Sequence, residues 1–228
     1  ASTAGTGTVA VNDDGLSIDY TPEADFSGTE VITYTVSDGT LTDETGTLTV
    51  TVNAVNDPPV AEAQALSAEE ETETGTITLV ATDVDDDDST LSYTIKTNAA
   101  NGKLKDGGTE ISTFPHDITG ALTYLPNTDF DGNDTFTFTA KDDDNEESNT
   151  ATVTITVTNT NDPPVANSQA LSAEEETETG TITLVATDVD DDDTTLSYTI
   201  KTNAVSGKLR DGGTEISTFP HDITGALT

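Results

Sequence analysis

This 228-residue sequence predicts an all-β protein made of tandem Greek-key β-sandwiches, and three observations carry that reading. Apolar residues alternate with threonine over short runs, as in Phe136, Phe138 and Ala140 or Val153, Ile155 and Val157. The phrase Asn56-Asp57-Pro58-Pro59-Val60 returns as Asn161-Asp162-Pro163-Pro164-Val165, 105 residues later. Turn residues punctuate the runs at Asn101-Gly102, Asp106-Gly107-Gly108, Pro126-Asn127 and Asp131-Gly132, and no window has helical periodicity.

The alternation defines the elements in order. Ile77 and Leu79 mark one strand, and Leu91, Tyr93 and Ile95 mark the next. The Phe136 and Val153 runs supply the two longest, with Thr on their opposite faces, so each sheet has one dry side. About seven short antiparallel strands per repeat suit a sandwich.

The repeat sets the domain organisation. Val60–Thr123 and Val165–Thr228 differ only at Glu62/Asn167, Ala63/Ser168, Ser89/Thr194, Ala100/Val205, Asn101/Ser206 and Lys105/Arg210. Residues 15–60 match 120–165. The expected domains are therefore 1–57, the C-terminal part of one repeat; 58–162, a complete repeat; and 163–228, the N-terminal part of a third. The terminal repeats are read as incomplete, and their complementary halves suggest head-to-tail pairing with other copies.

Composition narrows the function. Asp and Glu number 44 against 7 Lys and Arg, a formal charge of −37, which argues against nucleic acid and anionic membrane as partners. There is no cysteine, hence no disulfide framework and no thiolate metal site. No apolar run reaches the length of a membrane helix, so direct membrane insertion is not expected.

The acidic residues are clustered. Asp83-Val-Asp85-Asp86-Asp87-Asp88 places five carboxylates in six residues, and the same word returns at 188–193. Like charges this close repel, and such a cluster is either a solvated loop or a hard-cation site; a hard cation such as calcium takes oxygen ligands. An EF-hand starting at Asp83 would want Gly at Asp88 and Glu at Thr94, so that form fails.

The order of motifs resembles a cadherin. Glu69-Glu70-Glu71, then Asp83-Val-Asp85, then Asp129-Phe-Asp131-Gly132, then Ala140-Lys-Asp142, then Asn161-Asp162-Pro163 follow one another in the family's sequence. More closely, the chain is similar to the bacterial cadherin-like tandem repeats of giant calcium-dependent (RTX-type) adhesins. The resemblance implies Ca2+ held between successive sandwiches. It assigns Asp25, Asn56, Asp57, Asp83, Asp85 and Asp142 to a first junction. A second junction would use Glu69, Glu70, Glu71, Asp129, Asp131, Asn161, Asp162, Asp188 and Asp190. Asp86 to Asp88 are read as spare carboxylates that raise the local negative potential or simply solvate the loop. The place of a further linker Asp in the family is taken by Ala54 or Asn159.

A catalytic role is not expected. His116-Asp117 is read as lying in a bend without a marked nucleophile, and aromatic platforms for sugar are scarce. The expected function is a calcium-rigidified extender, or spacer, of a large bacterial cell-surface adhesin, extracellular and serving adhesion or biofilm formation. Its partners would be calcium ions and the neighbouring repeats. The alternative is a repeat that itself acts as a calcium-dependent homophilic or glycan-binding module.

Overall fold

The computed structural model describes residues 7–40, 44–191 and 193–224. The chain divides into two compact units, Ala1–Asn127 with Gly132–Val157 and Thr128–Asp131 with Thr158–Thr228.

Four strands open the first unit: β1 (Thr8–Val11), β2 (Ile18–Thr21), β3 (Gly28–Val36) and β4 (Glu44–Val52). They form two antiparallel pairs, β1 with β2 and β3 with β4. Ten more follow: β5 (Val60–Ala61), β6 (Gln64–Glu69), β7 (Ala81–Thr82), β8 (Ser92–Thr97), β9 (Gly102–Asp106), β10 (Thr109–Glu110), β11 (His116–Asp117), β12 (Leu122–Pro126), β13 (Gly132–Lys141) and β14 (Ala151–Thr158). These build a five-stranded sheet in the order β11-β8-β13-β14-β6, a three-stranded sheet β10-β9-β12, and the short pair β5-β7. β8 pairs antiparallel with β11 and β13, and β9 with β12, none of them its neighbour in sequence, as in a Greek key.

The alternation in the sequence is what fixes this core. Phe136 and Phe138 on β13 stand opposite Val153 and Ala151 on β14, so both strands turn their apolar side chains to one face. Phe136, Phe138, Val153 and Ile155 are fully buried, together with Ile95 of β8 and Leu104, Leu122 and Tyr124 of the three-stranded sheet. Each such side chain contributes about 1.5–3 kcal/mol by leaving water. Tyr93 packs on Phe138 with ring centroids 6.1 Å apart.

The turns follow the glycines. Asp106 pairs with Thr109 across Gly107-Gly108, both at positive φ (56° and 82°), the hairpin turn that only glycine adopts without strain. Gly102 is required for a different reason. A Cβ there would run into the ring of Tyr124, whose hydroxyl donates to Asp134 at 2.9 Å.

Two local expectations need amending. Six strands of this repeat have five or more residues, and the remaining pairings are two-residue pieces. The segment around Ile77 and Leu79 buries both side chains, yet it forms no continuous ladder. Its bonds to β12 are Thr74 N–H to Tyr124 O and Ile77 N–H to Leu122 O, while the Tyr124 N–H goes to the Thr74 hydroxyl instead of a carbonyl.

The second unit holds β15 (Val165–Ala166) paired with β16 (Ala186–Thr187), a 3-10 turn at Asp193–Thr195, β17 (Thr199–Ile200) paired with β20 (His221–Asp222), and β18 (Arg210–Asp211) paired with β19 (Thr214–Glu215). These pairings repeat those of β5-β7, β8-β11 and β9-β10. No helix among the described residues is long and apolar enough to cross a membrane.

Candidate metal centre

Backbone amides hold the acidic loop of the first unit together. Asp83 Oδ1 accepts from the N–H of Asp85 (2.8 Å) and of Asp86 (3.0 Å). Asp88 Oδ1 accepts from the Asp83 N–H at 2.8 Å, and Asp87 Oδ1 from the Ser89 N–H at 3.0 Å. These are side-chain-to-backbone turns of the kind short acidic residues favour. The Ser89 bond holds the Asp87 carboxyl below its ordinary range. The second unit repeats the loop: Asp188 Oδ1 accepts from Asp190 and Asp191, and Asp193 Oδ1 from Asp188.

The connector closes onto this loop. The Asp57 N–H donates to Asp85 Oδ2 at 2.8 Å, and the Asn56 side-chain amide donates to Asp142 Oδ2 at 2.8 Å. Asp142 follows the end of β13 and is buried, with Oδ1 taking the Glu146 N–H at 2.7 Å. The Asn56 amide, aided by that amide and others nearby, holds the Asp142 carboxyl below its ordinary range against the effect of burial.

Asp83, Asp86 and Asp142 each present an oxygen within 4.8 Å of the others. Asp83 Oδ2 is buried and takes no hydrogen bond. The Asp143 N–H favours the charged form of Asp86, but desolvation and the charges of Asp143, Asp83 and Asp142 outweigh it and push the Asp86 carboxyl up. The ion pairs found among the described residues lie elsewhere, at Lys96–Glu147, Lys103–Glu110, Lys105–Glu73 and Lys208–Glu215 and at the two histidines. An orphaned carboxylate oxygen, a buried carboxylate and an all-oxygen donor set that enters no ion pair among the described residues fit a hard divalent ion.

All six residues assigned to the first junction meet in this region. Asp25, at positive φ (60°), lines a hollow of about 190 Å3 with Pro22, Phe26, Val55, Asp57 and Asp85. Asn56, Asp83 and Asp142 stand beside it through the bonds above. Asp86 also joins the carboxylate group, a residue that reads from the sequence as spare. Its signal was the turn itself: an Asp whose side chain caps the N–H groups two and three residues on folds the third Asp back toward it.

The residues assigned to the second junction fall in both units. In the second, Asp129, Asp162 and Asp188 line a hollow of about 420 Å3 with Pro163, Val165, Thr187 and Val189. Asp129 is at positive φ (57°) like Asp25. Asp190 accepts from the Asp162 N–H and from the Asn159 side-chain amide. Asn161 turns its amide back to the Asp162 carbonyl at 3.0 Å, unlike Asn56. Asp131 is exposed. In the first unit, Glu69 ends β6, Glu70 is buried, and Glu71 sits at positive φ (56°).

His116 and Asp117 face different partners. His116 Nε2 meets Asp106 Oδ2 at 3.1 Å, and Asp117 Oδ1 accepts from the Thr94 hydroxyl at 2.6 Å. Asp106 also takes Thr119 N–H, Thr119 hydroxyl and Gly120 N–H. Burial works against its charge, but these bonds outweigh it and hold the carboxyl below its ordinary range. The group ties the loop before β12 to the end of β9.

Comparison with known proteins agrees with this architecture. The bacterial cadherin-like domain matches residues 56–159, and the bacterial Ig domain matches residues 1–51 and 161–226. No curated protein matches. Among solved structures, human protocadherin-24 repeats EC1-2 are 16% identical over 67% of this chain and 77% of that one, with a TM-score of 0.41. The fibronectin(III)-like modules of Clostridium thermocellum CbhA are 18% identical over 63% and 73%, with a TM-score of 0.25. Likeness at this level has no weight beside the family matches. Cadherin-like and Ig-like domains are typically non-enzymatic extracellular surface modules, and cadherin-like domains generally bind calcium. The chain thus carries a bacterial cadherin-like domain at residues 56–159 and belongs to the bacterial Ig domain family over the sequence on either side of it.

Proposed function

We propose that the chain is a run of calcium-rigidified spacer repeats from a large bacterial cell-surface adhesin of the RTX type, serving adhesion or biofilm formation outside the cell. The repeats would run 1–57, 58–162 and 163–228, with a calcium junction at each Asn-Asp-Pro-Pro connector. The observation that carries this reading is the double clasp of Asn56 on Asp142 and Asp57 on Asp85, beside a buried carboxylate oxygen of Asp83 that has no partner.

Asp83, Asp86 and Asp142 would hold the ion at the first connector, with Asp25, Asp57 and Asp85 completing the acidic wall. Asp129, Asp162, Asp188 and Asp190 would do so at the second, with Asn161 and Glu69 to Glu71. Bound calcium supplies positive charge that turns repulsion among these carboxylates into attraction. The chain's own part is to bring ligands from both sides of a short connector, so that binding removes hinge freedom. The paired prolines, Pro58-Pro59 and Pro163-Pro164, narrow that freedom in advance. Without metal, the −37 charge favours an expanded chain.

A calorimetric calcium titration tests this, read beside small-angle scattering in millimolar calcium and in excess chelator. Calcium should raise the Tm and lengthen the mean end-to-end dimension. In Asp83→Asn, Oδ1 still caps Asp85 and Asp86 while the charge is gone, so the apo fold should persist and calcium affinity should fall at least tenfold. Identical dimensions and Tm in calcium and chelator would refute the proposal.

A further inference from the structure

The first long strand of the middle repeat and its last one lie side by side and run the same way. Asp142, the residue after β13, takes the Asn56 amide, so the connector enters at the end where β13 finishes. β14 is antiparallel to β13. It therefore starts at that end, near the Ala151 and Phe138 pair, and runs toward the other, where Val157 stands opposite Gly132. β5 is fastened just ahead of β14: Asn149 Oδ1 accepts the Ala61 N–H, and Asn149 Nδ2 donates to the Ala61 carbonyl, both at 3.0 Å. From there β6 follows the edge of the sheet beside β14. The chain then reaches the far end, where the Thr74 N–H donates to the Tyr124 carbonyl and the Tyr124 hydroxyl to Asp134, the third residue of β13. β6 and β14 are thus parallel.

That polarity decides how the repeat answers tension. β5 and β6 follow the connector at Asn56-Asp57, and β14 leads into the one at Asn161-Asp162. Pulling the two connectors apart slides β6 lengthwise along β14, so the bonds between them are strained together and none opens alone. Asn149 adds two bonds across the same pull. A side-chain amide has the donor and the acceptor of a peptide group, so Asn149 serves Ala61 as a neighbouring strand would. The Glu62 N–H to Val80 O bond at 3.0 Å, the Gln64 Nε2 to Thr78 O bond at 2.9 Å and the β5–β7 pair hold this segment from its other side.

We propose that this arrangement is a shear lock: the β5–β6 segment, fastened ahead of β14 by Asn149, bears the tension carried between the two connectors, and does so without metal. The lock rests on the spacer reading only for the direction of the load. Its named bonds join amides to carbonyl oxygens, and no carboxylate takes part in them, so a chelator leaves them in place. That separates the lock from the calcium junction, whose ligands are acidic.

The chain has no cysteine, so two introduced thiols set the pulling axis. Handles at Val55→Cys and Thr160→Cys load the repeat along β6 and β14. Handles at Val55→Cys and Asp144→Cys pull at one end only and peel the strands apart bond by bond. All three positions are exposed, and both axes cross the Asn56 and Asp57 clasps, which therefore affect them alike. The full chain is held at constant force in an optical trap, in excess chelator, where the lifetime reads the unfolding rate. With Asn149 in place, the middle repeat should last at least about tenfold longer along the first axis than along the second. Asn149→Ala removes both Ala61 bonds and should shorten the first lifetime about tenfold and the second less than about threefold. Equal lifetimes along the two axes with Asn149 in place overturn the proposal, whether or not calcium binds at the connectors. So does an Asn149→Ala that shortens both lifetimes by the same factor, as a general loss of stability would. A calcium titration without heat would sink the metal junction and leave the lock standing.

Discussion

Replacing Tyr124 by Phe removes one hydroxyl from the interior and little else, which makes it a sharp test of how the middle sandwich is latched. Tyr124 is fully buried on β12, its ring lies against Gly102 of β9, and its hydroxyl donates to Asp134 of β13. Asp134 is 3% exposed and also takes the N–H groups of Ala100 at 2.9 Å, Asn101 at 2.8 Å and Thr135 at 2.8 Å. The latch therefore joins the two sheets and pins the turn before β9. Burial, and then the Asp134 carboxylate, raise the Tyr124 hydroxyl above its ordinary pKa, so it stays a donor at neutral pH.

A hydrogen bond to a charged group contributes about 1.5–3 kcal/mol. In Tyr124→Phe the carboxylate keeps its three amides, so the loss belongs near the lower end, about 1.5–2 kcal/mol. For a domain of this size that is a fall in Tm of roughly 6–10 °C. Asp134→Ala should be worse, because two amides of the β9 turn and the Tyr124 hydroxyl lose their acceptor together. Chemical denaturation of both variants in chelator isolates this effect from metal binding. A Tyr124→Phe midpoint within about 0.5 kcal/mol of the parent would refute the latch, and so would an Asp134→Ala no less stable than Tyr124→Phe.

Two further outcomes are expected. Phe136→Ala empties a fully buried site in the core and should cost about 3–5 kcal/mol by denaturant titration, against under about 0.5 kcal/mol for Leu16→Ala at a 92% exposed position. Asp106 has a lowered carboxyl pKa in the fold, so its contribution is complete above the ordinary aspartate value of 3.8 and is lost as pH falls through the lower folded value. Thermal melts from pH 6 down to pH 2 should show that acid limb flattened in Asp106→Asn; an unchanged limb would count against it.

Much of the fold could be read from alternation and repetition. The Phe136 and Val153 runs have a period of two over enough residues that only a strand with one dry face satisfies them, and β13 and β14 result. The Ile77 and Leu79 pair shows the limit of that signal. Its alternation predicts which side chains are buried, but not whether the backbone completes a ladder, because the Thr74 hydroxyl takes the Tyr124 N–H in place of a main-chain carbonyl. The Tyr124–Asp134 latch was also hidden. It joins residues ten apart on different sheets, and neither spacing nor composition announces that contact.

The acidic loop was legible in its outline and not in its detail, and the reason is geometric. Counting carboxylates in Asp83 to Asp88 gives a repulsion with no stated remedy. The fold answers most of it with main-chain donors: Asp83, Asp87 and Asp88 each accept amides of their own loop, and Asp85 accepts the connector amide of Asp57. Those bonds hold the loop in one conformation. They also consume one oxygen of Asp83 and leave the other buried and unmet. A carboxylate that only solvated the loop would turn both oxygens to water. Asp83 Oδ2 does not, and that asymmetry between two oxygens of one side chain, invisible in a string of identical letters, is what favours the proposed cation seat over a purely solvated acidic surface.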